Sequence, residues 1–347
     1  MGDTAILHKQ LTGVGGAQHV AYELARGLDA PIYAAWVDQE VVPDDVEAIQ
    51  LFGDAWRRVA DLHYTVRDSF MMLAFQHLPE LYEYDEVVLN QTTATWFVPR
   101  EDQAVVQYAH HPLRGQYDMW HRREKTLLNA AVATVQRTLY RPTMDYPDTI
   151  IANSETTARR FRRYFNIDID GVVHPPVDTS AFDPSERETG DYYLTLGRLE
   201  PNKRVPEIVE AFEEEGVPLV VAGTGSEEDA VRKAAGRHTE VVGHVSEEEK
   251  ARLMSGARGF VMNAEQEDFG MTPVEAMASG TPVLGVDEGF TPHHIDEGVT
   301  GTVYRRGELG AAIRRAEAAD WDEDEIAESA DQRTDFAAEI RGALDDC

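Results

Sequence analysis

Glu265-Gln266-Glu267-Asp268-Phe269-Gly270-Met271-Thr272-Pro273-Val274-Glu275-Ala276-Met277-Ala278-Ser279-Gly280 is the stretch on which the reading of this chain turns. It follows an apolar, strand-like run that ends at Asn263. Glu267 and Glu275 stand eight apart, with Gly270 and Thr272 between them. The spacing puts Glu267 in a loop and Glu275 about one turn inside the following helix, flanked by Val274, Ala276 and Met277. A carboxylate in so apolar a setting needs hydrogen-bond donors, and a ribose diol supplies two hydroxyls. The unpaired amides that open such a helix, at Gly270, Met271 and Thr272, suit phosphate oxygens. A capped helix with a chance glutamate accounts for less of this pattern.

Outward from this stretch, short apolar runs alternate with helical patterns. One series comprises residues 5–8, 31–36, 86–90, 104–108 and 149–152, and a second comprises 192–196, 218–222, 240–242, 259–263 and 282–286. Runs too apolar to be half exposed, each followed by a helical segment, predict parallel sheets covered on both faces. Two series predict two doubly wound α/β domains. Between them lie His174-Pro175-Pro176-Val177-Asp178 and the polar stretch from Asp183 to Gly190, which read as a linker. The expected domains are 1–177 and 178–347, with the last helix able to pack back on the first. Ligands of open α/β sheets bind beyond the carboxyl ends of the strands, so the expected site is a cleft between two facing domains.

The residues that follow the strands carry the chemistry. Thr12-Gly13-Val14-Gly15-Gly16-Ala17 is a glycine-rich turn feeding a helical run from Gln18 to Leu28. Such a turn lets backbone amides approach a phosphate or sugar, although it also serves as a plain tight turn. It is not the dinucleotide fingerprint, whose third glycine is replaced here by Gln18. His110-His111-Pro112-Leu113-Arg114 offers hydrogen-bond donors and a cation at another strand end, although by itself it reads equally as a surface loop. Gly197-Arg198-Leu199-Glu200-Pro201-Asn202-Lys203-Arg204 places Arg198 and Lys203 around a loop that opens a helix, which suits a pyrophosphate better than a merely solvated charged loop, since lysine is so scarce in this chain. Ala222-Gly223-Thr224-Gly225 and Gly243-His244-Val245 are turns that either bring backbone groups to a nucleobase or only reverse the chain.

The chain has 347 residues, enough for two domains and a sizeable core. Its net charge is −31, with 63 acidic against 32 basic residues, and only five of the basic residues are lysine. A phosphate backbone would be repelled, which excludes general nucleic-acid binding. Such acidity suits concentrated salt, where self-repulsion is screened over a few ångströms, and predicts a salt-adapted, halophilic protein. The opening run Ala5-Ile6-Leu7 lacks the charged and long apolar regions of a secretory signal, and no run is long and apolar enough to span a bilayer. The one cysteine, Cys347, cannot build a disulfide framework or a cysteine metal site. A cytoplasmic protein is expected. The charge is uneven: from His111 to Arg163 ten basic residues face five acidic ones. Arg114, Arg122, Arg123, Arg159 and Arg160 within this zone are candidates for contact with an anionic acceptor or membrane surface, against the plainer reading of ordinary helix faces.

Together these segments resemble the retaining glycosyltransferases of the GT-B type that carry the E-x7-E motif. Glu267 to Glu275, with its Phe-Gly step, resembles that motif, and Arg198 with Lys203 resembles the family's phosphate-binding pair. Gly15-Gly16 is similar to the family's N-terminal glycine loop, with Gln18 where many members have Glu. His110, by its spacing to Pro112, matches the active-site histidine, and Asn153-Ser154 with residues 173–178 is similar to the inter-domain stretch. The pattern is most similar to the mannosyltransferase-like branch that uses GDP-mannose.

The resemblance implies two Rossmann-like domains and a hexosyl transfer from a nucleotide-diphosphate sugar to an acceptor hydroxyl, on a lipid-linked glycan or polysaccharide intermediate. Arg198 and Lys203 would neutralise the leaving diphosphate. Glu275 would bind the ribose, and Glu267 the hydroxyls of the transferred sugar. Amides of Phe269, Gly270, Met271 and Thr272 would surround the diphosphate and sugar. His110 would touch the sugar, Gly15 and Gly16 would let their loop approach the diphosphate, and Gly243, His244 and Val245 would line the base. The nucleotide sugar is then a co-substrate, and neither a cofactor nor a metal is expected. Asp168-Ile169-Asp170 spells the D-x-D that elsewhere holds a metal, but its place before a strand makes it structural. A nucleotide-sugar epimerase of the same fold and a silent nucleotide-sugar-binding protein are the competing readings.

Overall fold

The computed structural model describes residues 3–13, 15–60, 64–123, 125–179, 182, 190–330 and 335–347. The chain forms two units, Met1–Pro176 with Thr334–Cys347 and Val177–Arg333. The second domain, read as 178–347, therefore gives up its last segment to the first unit. The polar stretch from Asp183 lies, as far as residue 189, outside the described residues.

In the first unit, β1 (Thr4–His8), β2 (Ile32–Ala34), β3 (Ala48–Gln50), β4 (Glu86–Asn90), β5 (Ala104–Ala109), β6 (Thr149–Ala152) and β7 (Gly171–Val172) make one parallel sheet. The strand order is β3-β2-β1-β4-β5-β6-β7. In the second, β8 (Tyr193–Leu196), β9 (Leu219–Ala222), β10 (Thr239–Gly243), β11 (Gly259–Met262), β12 (Val283–Val286) and β13 (Gly301–Tyr304) make another, also parallel. Its order is β10-β9-β8-β11-β12-β13. Both are doubly wound, and the order reverses between β1 and β4 and between β8 and β11.

Strand residues alternate between two cores in each unit. Leu7, Val87, Leu89 and Val105 join one apolar cluster while Ile6, Val88, Val106 and Tyr108 join another. Leu194, Val220, Phe260 and Met262 alternate in the same way with Tyr193, Val221, Val261 and Leu284. Burial on both faces explains why these runs are continuously apolar. Three strands escape the sequence pattern. β3 and β7 are short edge strands whose residues are only partly buried or exposed, so they show no apolar run. β13 opens on Gly301, where a Cβ would stand 2.0 Å from the Val283 carbonyl oxygen. That strand needs a glycine for close packing, and the glycine masks its pattern.

The last helix, Phe336–Asp345, presents Phe336, Ile340 and Leu344 at fourfold spacing to the cluster of Ile6 and Val106. Asp335 caps it by accepting from the Ala338 amide at 3.1 Å. Arg341 pairs with Glu86 at 2.6 Å. Gly27 in helix Gly16–Leu28 lies so near Ala337 that a Cβ there would be 2.0 Å from the alanine methyl.

Candidate functional site

In the second unit the E-x7-E stretch leaves β11 at the sheet's reversal point. Glu267 sits in the loop, and helix Met271–Ala278 begins after Gly270, whose φ of 86° is in the left-handed region that glycine tolerates. The first amides of this helix have no carbonyl one turn back to bond, a geometry that suits anions in general. Phe269 contributes backbone only, because its ring is buried and stacks on Phe290 at 5.3 Å. His294 donates from Nε2 to the Phe269 carbonyl at 2.8 Å, which fixes the loop. Gly289 packs so tightly on the loop that a Cβ would be 2.3 Å from the Glu267 nitrogen.

The loop after β8 carries the cations. Lys203 Nζ donates to Glu267 Oε2 at 2.6 Å, so two residues 64 apart in sequence meet. Arg198 is exposed, and its side chain makes no hydrogen bond or ion pair with a described residue. Arg204, adjacent to Lys203, is instead buried. It forks onto Glu288 at 2.8 and 3.0 Å and lies 3.5 Å from Glu265. Its left-handed φ of 52° starts helix Val205–Glu215. Sequence reading missed this residue, which fastens the loop rather than facing a ligand.

Glu275 is also engaged. Lys250 on helix Glu247–Gly256 donates to its Oε1 at 3.1 Å and pairs with Glu247 at 2.5 Å. Burial disfavours the Lys250 ammonium, but Glu275 and Glu247 outweigh it and raise its pKa above the ordinary lysine value. Gly243 ends the edge strand β10 with a φ of 80°, and its carbonyl accepts from the Gly223 amide at 2.6 Å. Beyond it His244 is exposed and Val245 packs partly against the core. Gly223 and Gly225 serve close packing, since Cβ atoms there would be 1.9 Å from the Gly197 oxygen and 2.4 Å from the Leu199 oxygen.

In the first unit, His110 follows β5, the strand next to β4 of the reversal point. Its Nε2 lies 2.5 Å from Asn90 Oδ1, and the Asn90 amide nitrogen lies 3.2 Å from His8 Nδ1 and 3.4 Å from the Ala17 carbonyl. His8 and Asn90 are fully buried and His110 nearly so. Burial, then the neighbouring His110 and Lys9, push His8 down to a pKa of about 3. Neither His8 nor Asn90 stood out in sequence, yet each is the polar last residue of an apolar strand at the reversal point, which is a readable signal. His111 turns to its own loop, with Nδ1 2.6 Å from the Pro112 carbonyl and 3.3 Å from Thr92 Oγ1. Gly15 precedes helix Gly16–Leu28 with a φ of 179°, extended backbone that demands no glycine. Val14 of the same turn lies outside the described residues.

The arginine zone divides. Arg114 and Arg160 converge on the largely buried Asp118, at 3.1 and 3.8 Å, and Arg160 is itself buried, which takes both out of an open patch. Arg122 and Arg159 are exposed, and Arg123 lies partly covered against Gly115. Helix Leu127–Tyr140 exposes Leu127 by 92%, Leu128 by 72%, Val135 by 55% and Leu139 by 45%, an apolar face that the arginine count did not reveal. Asp168 pairs with Arg162, and Asp170 accepts from the Ile150 amide at 2.8 Å, so the D-x-D pair is tied into the fold. Among the described residues no group of three or more potential ligands is placed to hold a metal, and no helix is long and apolar enough to cross a membrane.

The family model described as "Glycosyl transferases group 1" matches residues 177–333, the extent of the second unit. The α-1,3/1,6-mannosyltransferase ALG2 of Kluyveromyces lactis is 24% identical over 82% of this chain and 69% of its own length. The apo lipopolysaccharide outer core galactosyltransferase WaaB superposes with a TM-score of 0.70 at 17% identity, over 99% of each chain. HepE of Anabaena, solved with UDP and glucose, does so with a TM-score of 0.69 at 18% identity over the whole of both chains. The protein is a glycosyltransferase of the GT-B fold, and its second unit matches the glycosyl transferases group 1 model.

Proposed function

We propose that the chain is a retaining hexosyltransferase that moves mannose from GDP-mannose to a hydroxyl of a lipid-linked glycan or polysaccharide intermediate. The observation that carries this reading is the Lys203–Glu267 pair at 2.6 Å beside the exposed Arg198, in the unit that ends its β11 loop on the amides of helix Met271–Ala278. That arrangement offers two cations and a helix start to a diphosphate and one carboxylate to sugar hydroxyls. Glu275 exchanges part of its contact with Lys250 for the ribose diol. Gly243, His244 and Val245 line the base, and Gly15 and Gly16 bring their amides to the diphosphate. His110 holds a hydroxyl of the transferred sugar.

The bond from the anomeric carbon to the diphosphate oxygen breaks, and the electron pair leaves with the diphosphate. The acceptor oxygen attacks the same face, and its proton passes to the departing phosphate oxygen. Catalysis is then positioning and charge stabilisation by Arg198, Lys203 and the helix start, with no metal invoked. The mannosyl assignment is supported by the mannosyltransferase relatives, and HepE, solved with UDP and glucose, supplies the rival donor. The exposed leucine face of helix Leu127–Tyr140, preceded by Arg122, Arg123 and Lys125, supports peripheral contact with an anionic membrane where the acceptor lipid resides.

A thermal-shift titration with GDP, UDP, ADP and TDP and their sugars tests the reading. A shift selective for GDP and GDP-mannose is expected. A UDP-selective shift would replace the donor and keep the transferase. No shift by any nucleotide in a folded sample would leave a silent scaffold.

A further inference from the structure

The buried histidine pair in the first unit has a chemistry that burial alone does not require. His8 fills the last position of β1 at 0% exposure, and its Nε2 has no hydrogen-bond partner among the described residues. A leucine there would avoid a buried polar atom that costs about 1–3 kcal/mol when unsatisfied. The same position faces Asn90 in register across β1 and β4, and Asn90 is fully buried too. Two adjacent strands that end on buried polar residues, at the point where the sheet order reverses, mark a device and not a core.

The hydrogen bonds fix which way every group faces. The Ala17 carbonyl can only accept, so the Asn90 nitrogen must face it, at 3.4 Å. The same nitrogen then donates to His8 Nδ1 at 3.2 Å, which leaves the proton of neutral His8 on Nε2. Asn90 Oδ1 is thereby turned to His110, and since it can only accept, His110 Nε2 must carry a proton at this 2.5 Å contact. One amide thus joins the residue at the end of β1, the start of the glycine-loop helix and the histidine after β5.

We propose that Asn90, anchored by His8 and the Ala17 carbonyl, is a positioning residue that holds His110 as its Nε2–H tautomer and so makes Nδ1 the ring's acceptor toward a hydroxyl of the transferred sugar. This rests on the reading of His110 as a sugar contact. His8 contributes by staying neutral, because a protonated His8 could not accept from Asn90 and would reverse the amide. The glycine loop enters through Ala17, so the same side chain keeps that loop in register with His110.

Ring NMR of the full chain labelled with 13C,15N-histidine reads the tautomers, with His110→Gln and His8→Gln assigning the two rings among the 12 histidines. The wild type is expected to show both as neutral Nε2–H forms. Asn90→Leu is expected to mix the His110 tautomers and lower kcat for GDP-mannose hydrolysis by roughly 10- to 100-fold, with KM nearly unchanged. Asn90→Asp presents acceptors to both rings, so His110 keeps its Nε2 proton while the His8 proton moves to Nδ1. A wild-type His110 protonated on Nδ1 would overturn the proposal directly. Unchanged His110 signals and kcat in Asn90→Leu would do the same, and if that variant does not fold, the wild type and Asn90→Asp decide. Expected tautomers together with full hydrolysis by His110→Ala would overturn it through the sugar-contact reading, leaving the hydrogen-bond assignment intact.

Discussion

Arg198 and Lys203 were read as a pair, but their surroundings separate them. Arg198 is exposed and unpaired among the described residues, whereas Lys203 is bound to Glu267 at 2.6 Å. Arg198→Ala is therefore expected to leave stability within about 0.5 kcal/mol of the parent. Lys203→Ala leaves the Glu267 carboxylate, only 15% exposed, without its cation, and is expected to cost about 1–2 kcal/mol in urea unfolding. Both should weaken nucleotide-diphosphate binding by roughly tenfold or more in calorimetry. Undiminished affinity in both would remove them from the site. His8 makes a separate prediction for pH. Its folded pKa is about 3 against an ordinary 6.5, so between those values the unfolded chain binds the extra proton. The neutral-histidine contribution is whole above pH 6.5 and is lost as pH falls toward 3, by up to about 1.4 kcal/mol per pH unit. His8→Leu lacks that acid loss, so its stability relative to the parent should rise between pH 7 and pH 5 in denaturant unfolding.

Elements place these residues by closing strand-end loops on one another. The Gly197 amide bonds the Ala222 carbonyl, Leu199 bonds Thr224, and Gly223 bonds Gly243, so the loops after β8, β9 and β10 form one hydrogen-bonded shelf. Glycines at 223 and 225 are steric requirements of that shelf, a role their sequence shares with any ligand turn. Helix Leu127–Tyr140 shows the opposite case, an element whose outer face packs on nothing described at Leu127 and Leu128. A helix face of this kind beside Arg122 and Lys125 gains apolar burial and charge attraction at an anionic bilayer. Leu128→Glu with Val135→Glu is expected to abolish cosedimentation with phosphatidylglycerol vesicles while the melting temperature holds. Equal sedimentation of parent and variant, or none by the parent, would remove the membrane role.

At the scale of the whole chain, residues 335–347 belong to the unit built by the first 176, although a second unit intervenes. Phe336, Ile340 and Leu344 are buried there, and full burial of one such side chain is worth roughly 1.5–3 kcal/mol. A chain ending at residue 334 should therefore unfold its first unit at distinctly lower temperature, while the unit from Val177 keeps its own transition in calorimetry. An unchanged first-unit transition would mean that the helix is dispensable. The sequence by itself determined the two sheets, because alternation of side chains and burial on both faces write a continuous apolar run into each inner strand. It also determined Glu267, Glu275, Arg198, Lys203 and His110 as site candidates, because each follows a strand and strand ends are where such sheets bind. Only the tertiary structure decided which cation meets Glu267 and which is buried against Glu288, since Lys203 and Arg204 are neighbours in sequence. It alone joined His8, Asn90 and His110, and drew Arg114 and Arg160 to Asp118. Periodicity is a local property that a few residues can express, whereas these partners lie up to 84 positions apart and meet only when strands and helices pack.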